Sequence, residues 1–406
     1  MTAVELPAVP RVLIAEADPW SRDLLKQVLL NVRCDARLDL CADGQQALQL
    51  LSEQPYDLVI ADWELPGVDG LNVLRSVRQR RRQPLLPFIL MSSRNDSASV
   101  REAVPLHPTA YLTKPLDMEN LTQRLQQLLL NAGQTVSCEV PTLAPGMSLS
   151  TFLERRRELA DGAPLLTDVQ QAVKRSLNPN GLDLRLLEEE VRNDPQITAV
   201  LIAAANSAAH HLGEGVQTLS QALHRLGTGQ SMNLVLGLAL KRSAKLSDPL
   251  LADYAERYWE LSLHTAEYGR TLARLLDLDQ ERCYCAGMLH CLGDLALLRC
   301  LQEWKQAGGE LDDQDQIGNA LKEFAAAYGS ALRTRWRLPL ELRELIAAVY
   351  QLGGGVYSRE ALVMNMAASL ARLTEHEGVE ELAKSRTARL LKIGLPELMR
   401  LRKTPA

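Results

Sequence analysis

The first 130 residues alternate short apolar runs with segments of helical periodicity. Residues 12–15, 58–61 and 88–91 are almost uniformly apolar, as expected for strands that are covered on both faces of a sheet. Weaker strands are predicted at residues 38–40 and 111–112, and apolar stripes at helical spacing lie between the runs. Five strand–helix units of this kind predict a doubly wound α/β domain, (βα)5, with helices on both faces of a parallel sheet.

The rest of the chain has a different pattern. Residues 131–162 start without periodicity, contain prolines and end in a predicted helix, so they are interpreted as a linker and connecting helix. From residue 163 to residue 375 the strand signals vanish, which predicts an all-helical domain. Asp194-Pro195 is a typical helix start, with a carboxylate cap and proline at the first position. Residues 376–406 form a helical extension that either packs on this domain or offers a docking face.

Composition narrows the class of protein. A chain of 406 residues is too long for one typical core. The net charge of −5 and the 4% aromatic content argue against a nucleic-acid partner. There is no apolar run long enough to span a bilayer and no signal segment, so we expect a cytoplasmic protein without a membrane partner. The seven scattered cysteines predict reduced, mostly buried thiols.

Three polar residues end predicted strands of the α/β domain. Asp62 follows the third strand, Ser92 the fourth and Lys114 the fifth. Because ligands bind at the carboxyl ends of the strands in such sheets, these side chains are expected to lie together. A carboxylate beside an ammonium ion is the arrangement of a phosphoryl-accepting aspartate. The carboxylate is the nucleophile, and the ammonium ion pairs with the transferred group.

These motifs give residues 10–130 a resemblance to the receiver domain of bacterial response regulators. The resemblance is carried by residues 60–70 (IADWELPGVDG), 90–93 (LMSS) and 111–117 (YLTKPLD). It implies that Asp62 is the phosphoacceptor and that Ser92 is the hydroxyl that senses the phosphoryl group. It also implies that Lys114 is the ion-pair partner, that Tyr111 is a rotameric aromatic residue, and that a sensor histidine kinase is a partner.

The implied metal site departs from the family pattern. Receivers carry two adjacent acids after the first strand to hold Mg²⁺, and the matching pair here is Glu16 and Ala17, with Asp18 one place further on. We predict a site of Glu16, Asp18 and Asp62 that is weakened by the missing acid, because Mg²⁺ demands near-ideal octahedral oxygen geometry. Two interpretations stay open: a working but slow switch, and a pseudo-receiver used for docking.

Residues 163–375 resemble the HDOD (HD-related output domain) family. The resemblance is carried by residues 193–199, 205–208, 216–222 and 287–293. Related HD phosphohydrolases hold metals with a first histidine, a His-Asp doublet and a late aspartate. By resemblance, the matching positions are His264, His290, Cys291 and Ala368. Both carboxylates are missing, so we expect no metal and no enzyme activity in this domain, and two core histidines.

The two domains together predict a response regulator. Phosphorylation on Asp62 is expected to control a non-catalytic HDOD domain that binds an unknown signalling protein. Homodimerisation is left open. The alternatives are a constitutive pseudo-receiver scaffold, a module that senses a nucleotide or second messenger, and a degenerate metal phosphohydrolase.

Overall fold

A computed structural model of the chain describes residues 9–80, 84–94, 96–114, 116, 118–130, 143–144, 146–157, 162, 165, 172, 177–178, 181–207, 215–239, 246–311, 313–352, 357–374 and 378–403. By their contacts the residues divide into two compact units. The first unit comprises residues 1–139 with 229–242, and the second comprises residues 140–228 with 243–406.

The first unit is built on a parallel sheet of five strands. The strands are β1 (Arg11–Ala15), β2 (Arg37–Cys41), β3 (Leu58–Asp62), β4 (Phe88–Ser92) and β5 (Ala110–Thr113), in the order β2-β1-β3-β4-β5. Each strand is followed by a helix: α1 (Pro19–Val32), α2 (Gly44–Glu53), α3 (Gly70–Gln79), α4 (Ser97–Ala103) and α5 (Met118–Leu129). The predicted (βα)5 fold is confirmed.

The alternation of side chains along the strands creates one core on each face of the sheet. Leu13, Val59 and Leu90 pack into the core that includes residues of α2 and α3. Val12 and Ile60 point the other way, into the core that includes residues of α1 and α5. Strand side chains alternate between faces, so a buried strand needs apolar residues at every position. This requirement explains the uniformly apolar runs in the sequence.

The helices of this unit begin at aspartate caps. Side chains at Asp18, Asp43, Asp69 and Asp96 each accept a hydrogen bond from the backbone N–H three residues further on. An aspartate cap satisfies one of the N–H groups that a helix start leaves unpaired. Each cap fixes the point at which a strand-end loop becomes a helix, and so it fixes the loops that carry the polar residues.

The second unit is helical. Its helices are α6 (Leu149–Arg157), α7 (Leu184–Val191), α8 (Pro195–Ala205), the first part of α9 (Leu219–Ala239), α10 (Pro249–Leu275), α11 (Gln280–Leu289), α12 (Leu292–Gln306), α13 (Gln314–Arg335), α14 (Leu340–Ala348), α15 (Arg359–Ala371), α16 (Glu380–Lys384), α17 (Arg386–Leu391) and α18 (Leu395–Lys403). Helix α9 kinks at Gly227, where φ is 73°, and its residues from 229 onward belong to the first unit.

Three details differ from the expectation. A short antiparallel pair, β6 (Leu177–Asn178) and β7 (Gly181–Leu182), lies where strand signals had vanished. The sequence pattern predicts one long helix at roughly residues 279–300, whereas the structure has two helices, because the chain turns between α11 and α12. Cys34 is disulfide-bonded, so the expectation of reduced thiols is wrong at that position. The other described cysteines are free and buried: Cys41, Cys283, Cys285, Cys291 and Cys300.

The signature segment at the start of the helical unit folds as its sequence indicates. The buried Asp194 caps α8 by accepting the N–H of Ile197 at 3.0 Å. Asn206 ends the helix: its Oδ1 accepts the N–H of Val216 and its Nδ2 donates to the carbonyl of Val216, both at 2.8 Å. The capping role predicted for Asp194 is confirmed, and Asn206 is likewise hydrogen-bonded to local backbone.

The C-terminal extension packs on the helical unit. Thr387 of α17 donates a hydrogen bond of 3.0 Å to Oδ1 of Asn365 in α15. Leu391 and Leu398 are buried. The predicted amphipathic helix pair therefore covers part of the unit with its apolar face.

Residues Gln280–Gln306 are long and apolar enough to cross a membrane, but 94% of the apolar window is buried inside the protein. The run covers α11 and α12, which are interior helices. Their apolar character comes from core packing.

A glycine in α12 allows this helix to contact α13 through backbone atoms. A Cβ at Gly293 of α12 would lie 2.3 Å from the carbonyl oxygen of Ala325 and 2.6 Å from the nitrogen of Gly329, both in α13. Backbone atoms cannot move aside as a flexible side chain does. The contact between α12 and α13 therefore depends on the absence of a side chain at this position.

We expect Gly293→Ala to lower the free energy of unfolding by about 2–3 kcal/mol, because the new methyl group overpacks two backbones. Gly318→Ala is the matched control, since a Cβ at this helical glycine of α13 meets nothing within 4 Å. The control should be neutral or stabilising by up to ~1 kcal/mol, because alanine is the better helix former. Urea unfolding followed by circular dichroism measures both, and equal stabilities of the two variants would contradict the close contact.

Candidate functional site

The carboxyl ends of four strands bring the predicted residues together. Asp62 ends β3 and Ser92 ends β4, while Glu16 directly follows β1 and Lys114 directly follows β5. Nζ of Lys114 lies 2.8 Å from Oδ2 of Asp62 and 2.9 Å from Oε2 of Glu16. The ammonium ion therefore bridges two carboxylates. Asp62 is 4% exposed and Glu16 is 2% exposed, so both acids are largely removed from water.

Burial makes these acids compete for positive charge. Desolvation, with the nearby Glu16 carboxylate, raises the pKa of Asp62 to about 7, although Lys114 opposes the shift. Desolvation alone would lower the pKa of Lys114, but the charges of Glu16 and Asp62 outweigh it and raise that pKa. The lysine stays charged and serves two acids at once. The centre formed by Glu16, Asp62 and Lys114 therefore has one ammonium ion for two acids.

Asp18 holds the start of α1 and leaves one oxygen free. Its Oδ2 accepts the N–H of Ser21 at 2.8 Å, and within the first unit it also lies 3.5 Å from Nε2 of Gln230 in α9. Its Oδ1 is buried without a hydrogen-bond partner, and so is Oδ1 of Asp62. Buried carboxylate oxygens are usually hydrogen-bonded, so these two are free to accept a further ligand.

The donor set fits a magnesium ion that keeps several waters. Carboxylate oxygens are the ligands that Mg²⁺ prefers, and Asp18 and Asp62 supply the free ones. Glu16 is more committed, because Oε2 accepts from Lys114 and Oε1 accepts the N–H of Asp18 at 3.0 Å. Within the described ranges no group of three or more acidic, histidine or cysteine side chains forms a complete metal cage.

Glu64 also enters this centre, and the sequence did not predict it. Its Oε1 accepts a 3.0 Å hydrogen bond from the hydroxyl of Ser92, and its Oε2 accepts the N–H of Ser93 at 3.4 Å. Burial alone would raise the pKa of Glu64, but hydrogen bonds from Ser92 and Ser93 help to hold that pKa below its usual value. The only signal available was its position, two residues after Asp62 on the same loop.

Tyr111 lies on the outer side of the centre. Its hydroxyl donates to the carbonyl oxygen of Arg94 at 2.7 Å, and its ring stands edge-on to Trp63, with centroids 6.2 Å apart. The Arg94 guanidinium lies 5.2 Å from the Trp63 ring centroid. Tyr111 therefore ties the loop after β4 to the loop after β3.

Three of the four positions that match HD metal ligands by resemblance lie in the interior of the helical unit: His290, Cys291 and Ala368. His290 is buried, its Nδ1 is 2.7 Å from the carbonyl oxygen of Gly287, and its Nε2 is 3.1 Å from Sγ of Cys291. Desolvation lowers the pKa of His290 to about 4, so the ring is neutral. Ala368 is buried as well. The prediction of a core histidine is confirmed at position 290.

The same prediction is wrong for His264. This residue is exposed on α10, while its neighbours Ser262 and Thr265 are fully buried. The core face of α10 includes residues 262, 265, 266 and 269, which share one side of the helix. Position 264 falls on the opposite side of the helix, so this histidine faces away from the core.

An acid does remain close to His290, at a position that the sequence reasoning missed. Desolvation raises the pKa of Asp294 in α12 to about 6, against the charges of Arg372 and Arg333 and a hydrogen bond with Tyr350. The Tyr350 hydroxyl also lies 2.7 Å from the carbonyl oxygen of His290, to which it donates. Asp294 lies one helical turn beyond the doublet position, which is why a search at Cys291 did not find it.

Known proteins resemble the chain in two separate regions. A model of the response regulator receiver domain matches residues 12–126, and a model of the HDOD domain matches residues 163–352. Both resemblances predicted from the motifs are therefore confirmed.

Two curated relatives and one solved structure are similar to parts of the chain. A probable chemotaxis protein CheY of Rhizobium etli is 30% identical over 116 residues, covering 29% of this chain and 89% of that protein. The transcriptional regulatory protein AruR of Pseudomonas aeruginosa is 35% identical over 127 residues, covering 30% of this chain and 50% of that protein. Among solved structures, the MmoQ response regulator of Methylococcus capsulatus is 20% identical and has a TM-score of 0.49, covering 61% of this chain and 100% of that one.

Replacing Lys114 by methionine removes the ammonium ion shared by Glu16 and Asp62. We expect Lys114→Met to lower the free energy of unfolding by about 2–4 kcal/mol at neutral pH, because it leaves buried carboxylates uncompensated. Adding Glu16→Gln should restore a large part of the loss. Lys26→Met on α1 is the control and should change stability by less than ~0.5 kcal/mol. Equal losses with and without Glu16→Gln, measured by urea unfolding, would contradict the shared ion pair.

Asp294 makes the stability of the helical unit depend on pH. Its pKa in the folded protein, about 6, lies above the ordinary value of 3.8, so the stability that the protonated acid contributes is lost as the pH rises through 6. The free energy of unfolding of Asp294→Asn, relative to that of the unmodified protein, should therefore increase by about 2 kcal/mol between pH 4.5 and pH 8. The exposed Asp253, changed to asparagine on α10, should show no such growth. Unfolding free energies at both pH values test this.

Proposed function

Because the chain belongs to the response regulators, with a receiver domain followed by an HDOD domain, we propose that its receiver accepts a phosphoryl group on Asp62 and thereby controls the HDOD domain. The observation that carries the proposal is the 2.8 Å ion pair of Lys114 with Asp62 at the strand ends. A buried carboxylate held by an ammonium ion is placed to react and is not free to turn away.

The proposed reaction uses residues of one edge of the sheet. A carboxylate oxygen of Asp62 attacks the phosphorus of the donor, the bond from phosphorus to the donor atom breaks, and an acyl phosphate forms. Lys114 would offset the negative charge that arrives, and the Ser92 hydroxyl at the end of β4 would donate to a phosphoryl oxygen in place of its present acceptor, Glu64. Magnesium, held by Asp18 and Asp62 with Glu16 behind them, would supply further charge neutralisation there. The proposed donor is a sensor histidine kinase in the cytoplasm.

The proposed output is protein binding without catalysis. At the positions where a related hydrolase needs carboxylates, this chain has the thiol of Cys291 and the methyl group of Ala368, both buried. His290 beside them is neutral, and burial raises the pKa of the Cys291 thiol. The thiol and the methyl group supply none of the carboxylate oxygens with which a related hydrolase would hold its metals. These observations favour a binding domain over a metal phosphohydrolase.

A route from receiver to output is suggested by Gln230. This residue falls inside the range matched by the HDOD model, yet it packs within the first unit, where its Nε2 lies 3.5 Å from Oδ2 of Asp18. A change of ligands at Asp18 would therefore alter a contact made by HDOD sequence. A two-state shift of this kind needs only a difference in interaction free energy between the states.

The small phosphodonor phosphoramidate, with Mg²⁺, should transfer one phosphoryl group to the full-length chain. Asp62→Asn should abolish the transfer, and removal of Mg²⁺ by chelation should slow it by about tenfold or more. The control Glu102→Gln, an exposed acid on α4, should keep it. Intact-mass spectrometry measures incorporation. A folded protein that takes up no phosphate, or one in which Asp62→Asn takes up as much, would refute the assignment.

A further inference from the structure

The donors that a phosphoryl group on Asp62 would need are already in use. The hydroxyl of Ser92 donates to one oxygen of Glu64, and the backbone N–H of Ser93 donates to the other. A serine hydroxyl has one hydrogen to donate. While Glu64 holds it, Ser92 has no hydrogen left for a phosphoryl oxygen.

The loop that carries Glu64 is fixed on both sides. The N–H of the buried Trp63 donates to the carbonyl oxygen of Met91 at 2.7 Å, and the N–H of Gly70 donates to the carbonyl oxygen of Trp63 at 3.0 Å. A Cβ at Gly70 would lie 2.1 Å from the backbone oxygen of Asp62, so the loop closes tightly on the end of β3. Nε of Arg94 lies 3.5 Å from Oε1 of Glu64 on the outer side.

We propose that Glu64 is a positioning residue that takes the place of the phosphoryl group in the unphosphorylated receiver. Its carboxylate accepts the hydrogen bonds of Ser92 and Ser93 that a phosphoryl group would otherwise accept. An acyl phosphate on Asp62 therefore has to displace it. The proposal rests on the proposed function of Asp62. Both ligands are anions with oxygen acceptors, so they compete for the same donors and repel each other. Glu64 thereby sets how readily the receiver takes a phosphoryl group.

The first test needs no phosphate. In the full-length protein, Glu64→Ala removes the acceptor of the exposed Ser93 amide, and hydrogen exchange at that amide should become at least about fivefold faster. Glu102→Ala, which removes an exposed acid of α4, should leave the exchange unchanged. Unchanged exchange in Glu64→Ala would overturn the proposal, because the carboxylate would then not be holding the backbone of Ser93.

The second test uses beryllofluoride with Mg²⁺, which mimics a phosphoryl group on an aspartate. Its affinity, measured by tryptophan fluorescence, should rise about tenfold or more in Glu64→Ala, and by less in Glu64→Gln, which keeps an acceptor for Ser92. In a Ser92→Ala background, Glu64→Ala should change the affinity less than about threefold, because the disputed hydroxyl is gone. An equal gain in both backgrounds would show simple charge repulsion and overturn the proposal.

The two readouts separate this inference from the assignment on which it rests. If no variant binds beryllofluoride while the Ser93 exchange responds to Glu64→Ala, the phosphoacceptor role of Asp62 is refuted, and Glu64 stands as the permanent occupant of these donors. If beryllofluoride binds with the same affinity in the unmodified protein and in Glu64→Ala, Asp62 keeps its role and the role of Glu64 is refuted.

Discussion

The ion pairs of Lys114 with Asp62 and Glu16 are the constraint on which the chemistry of the first unit depends. Parallel strands in this order bring an acid of β3, an acid after β1 and a lysine after β5 to one edge, and the same packing removes both acids from water. An ammonium ion that bridges two buried carboxylates fixes their geometry but cannot satisfy both. Because two acids share one ammonium ion, the carboxyl ends of these strands can still accept a positively charged ligand.

The helical unit, in contrast, buries neutral side chains at the positions that match metal ligands. At the turn between α11 and α12 a hydrolase of related sequence would need charged ligands, and this chain instead places a neutral imidazole and a thiol in the core. The helices can then pack closely, as the backbone contact at Gly293 shows. Asp294, Arg333 and Arg372 are charged side chains at the boundary of this core.

Much of this could be read from the sequence, because the relevant signals are local and periodic. Buried strands, aspartate caps and strand-end residues each have a pattern, so the fold and the grouping of Asp62, Ser92 and Lys114 were predictable. The role of Glu64 was not, since nothing in a loop sequence says which way a side chain turns. The break at residues 290–291 lies between two apolar helices and interrupts no pattern. The error at His264 was avoidable, because the helical period already placed residues 262, 265 and 266 on the buried face.

Two differences from the expected acids bear on the charge around Asp62: position 17 is an alanine, and Glu64 is an acid that was not predicted. In the family pattern two adjacent acids follow the first strand, at the positions of Glu16 and Ala17 in this chain. Position 17 contributes no acid, whereas Glu64 accepts a hydrogen bond from Ser92. A phosphoryl group adds about two negative charges at this point, and with an alanine at position 17 the chain offers one carboxylate fewer to a cation that would offset them. The Glu64 carboxylate already accepts the hydrogen bonds of Ser92 and Ser93. Phosphorylation of Asp62 would therefore be a change of ligand at these two donors, in which one anion has to displace another.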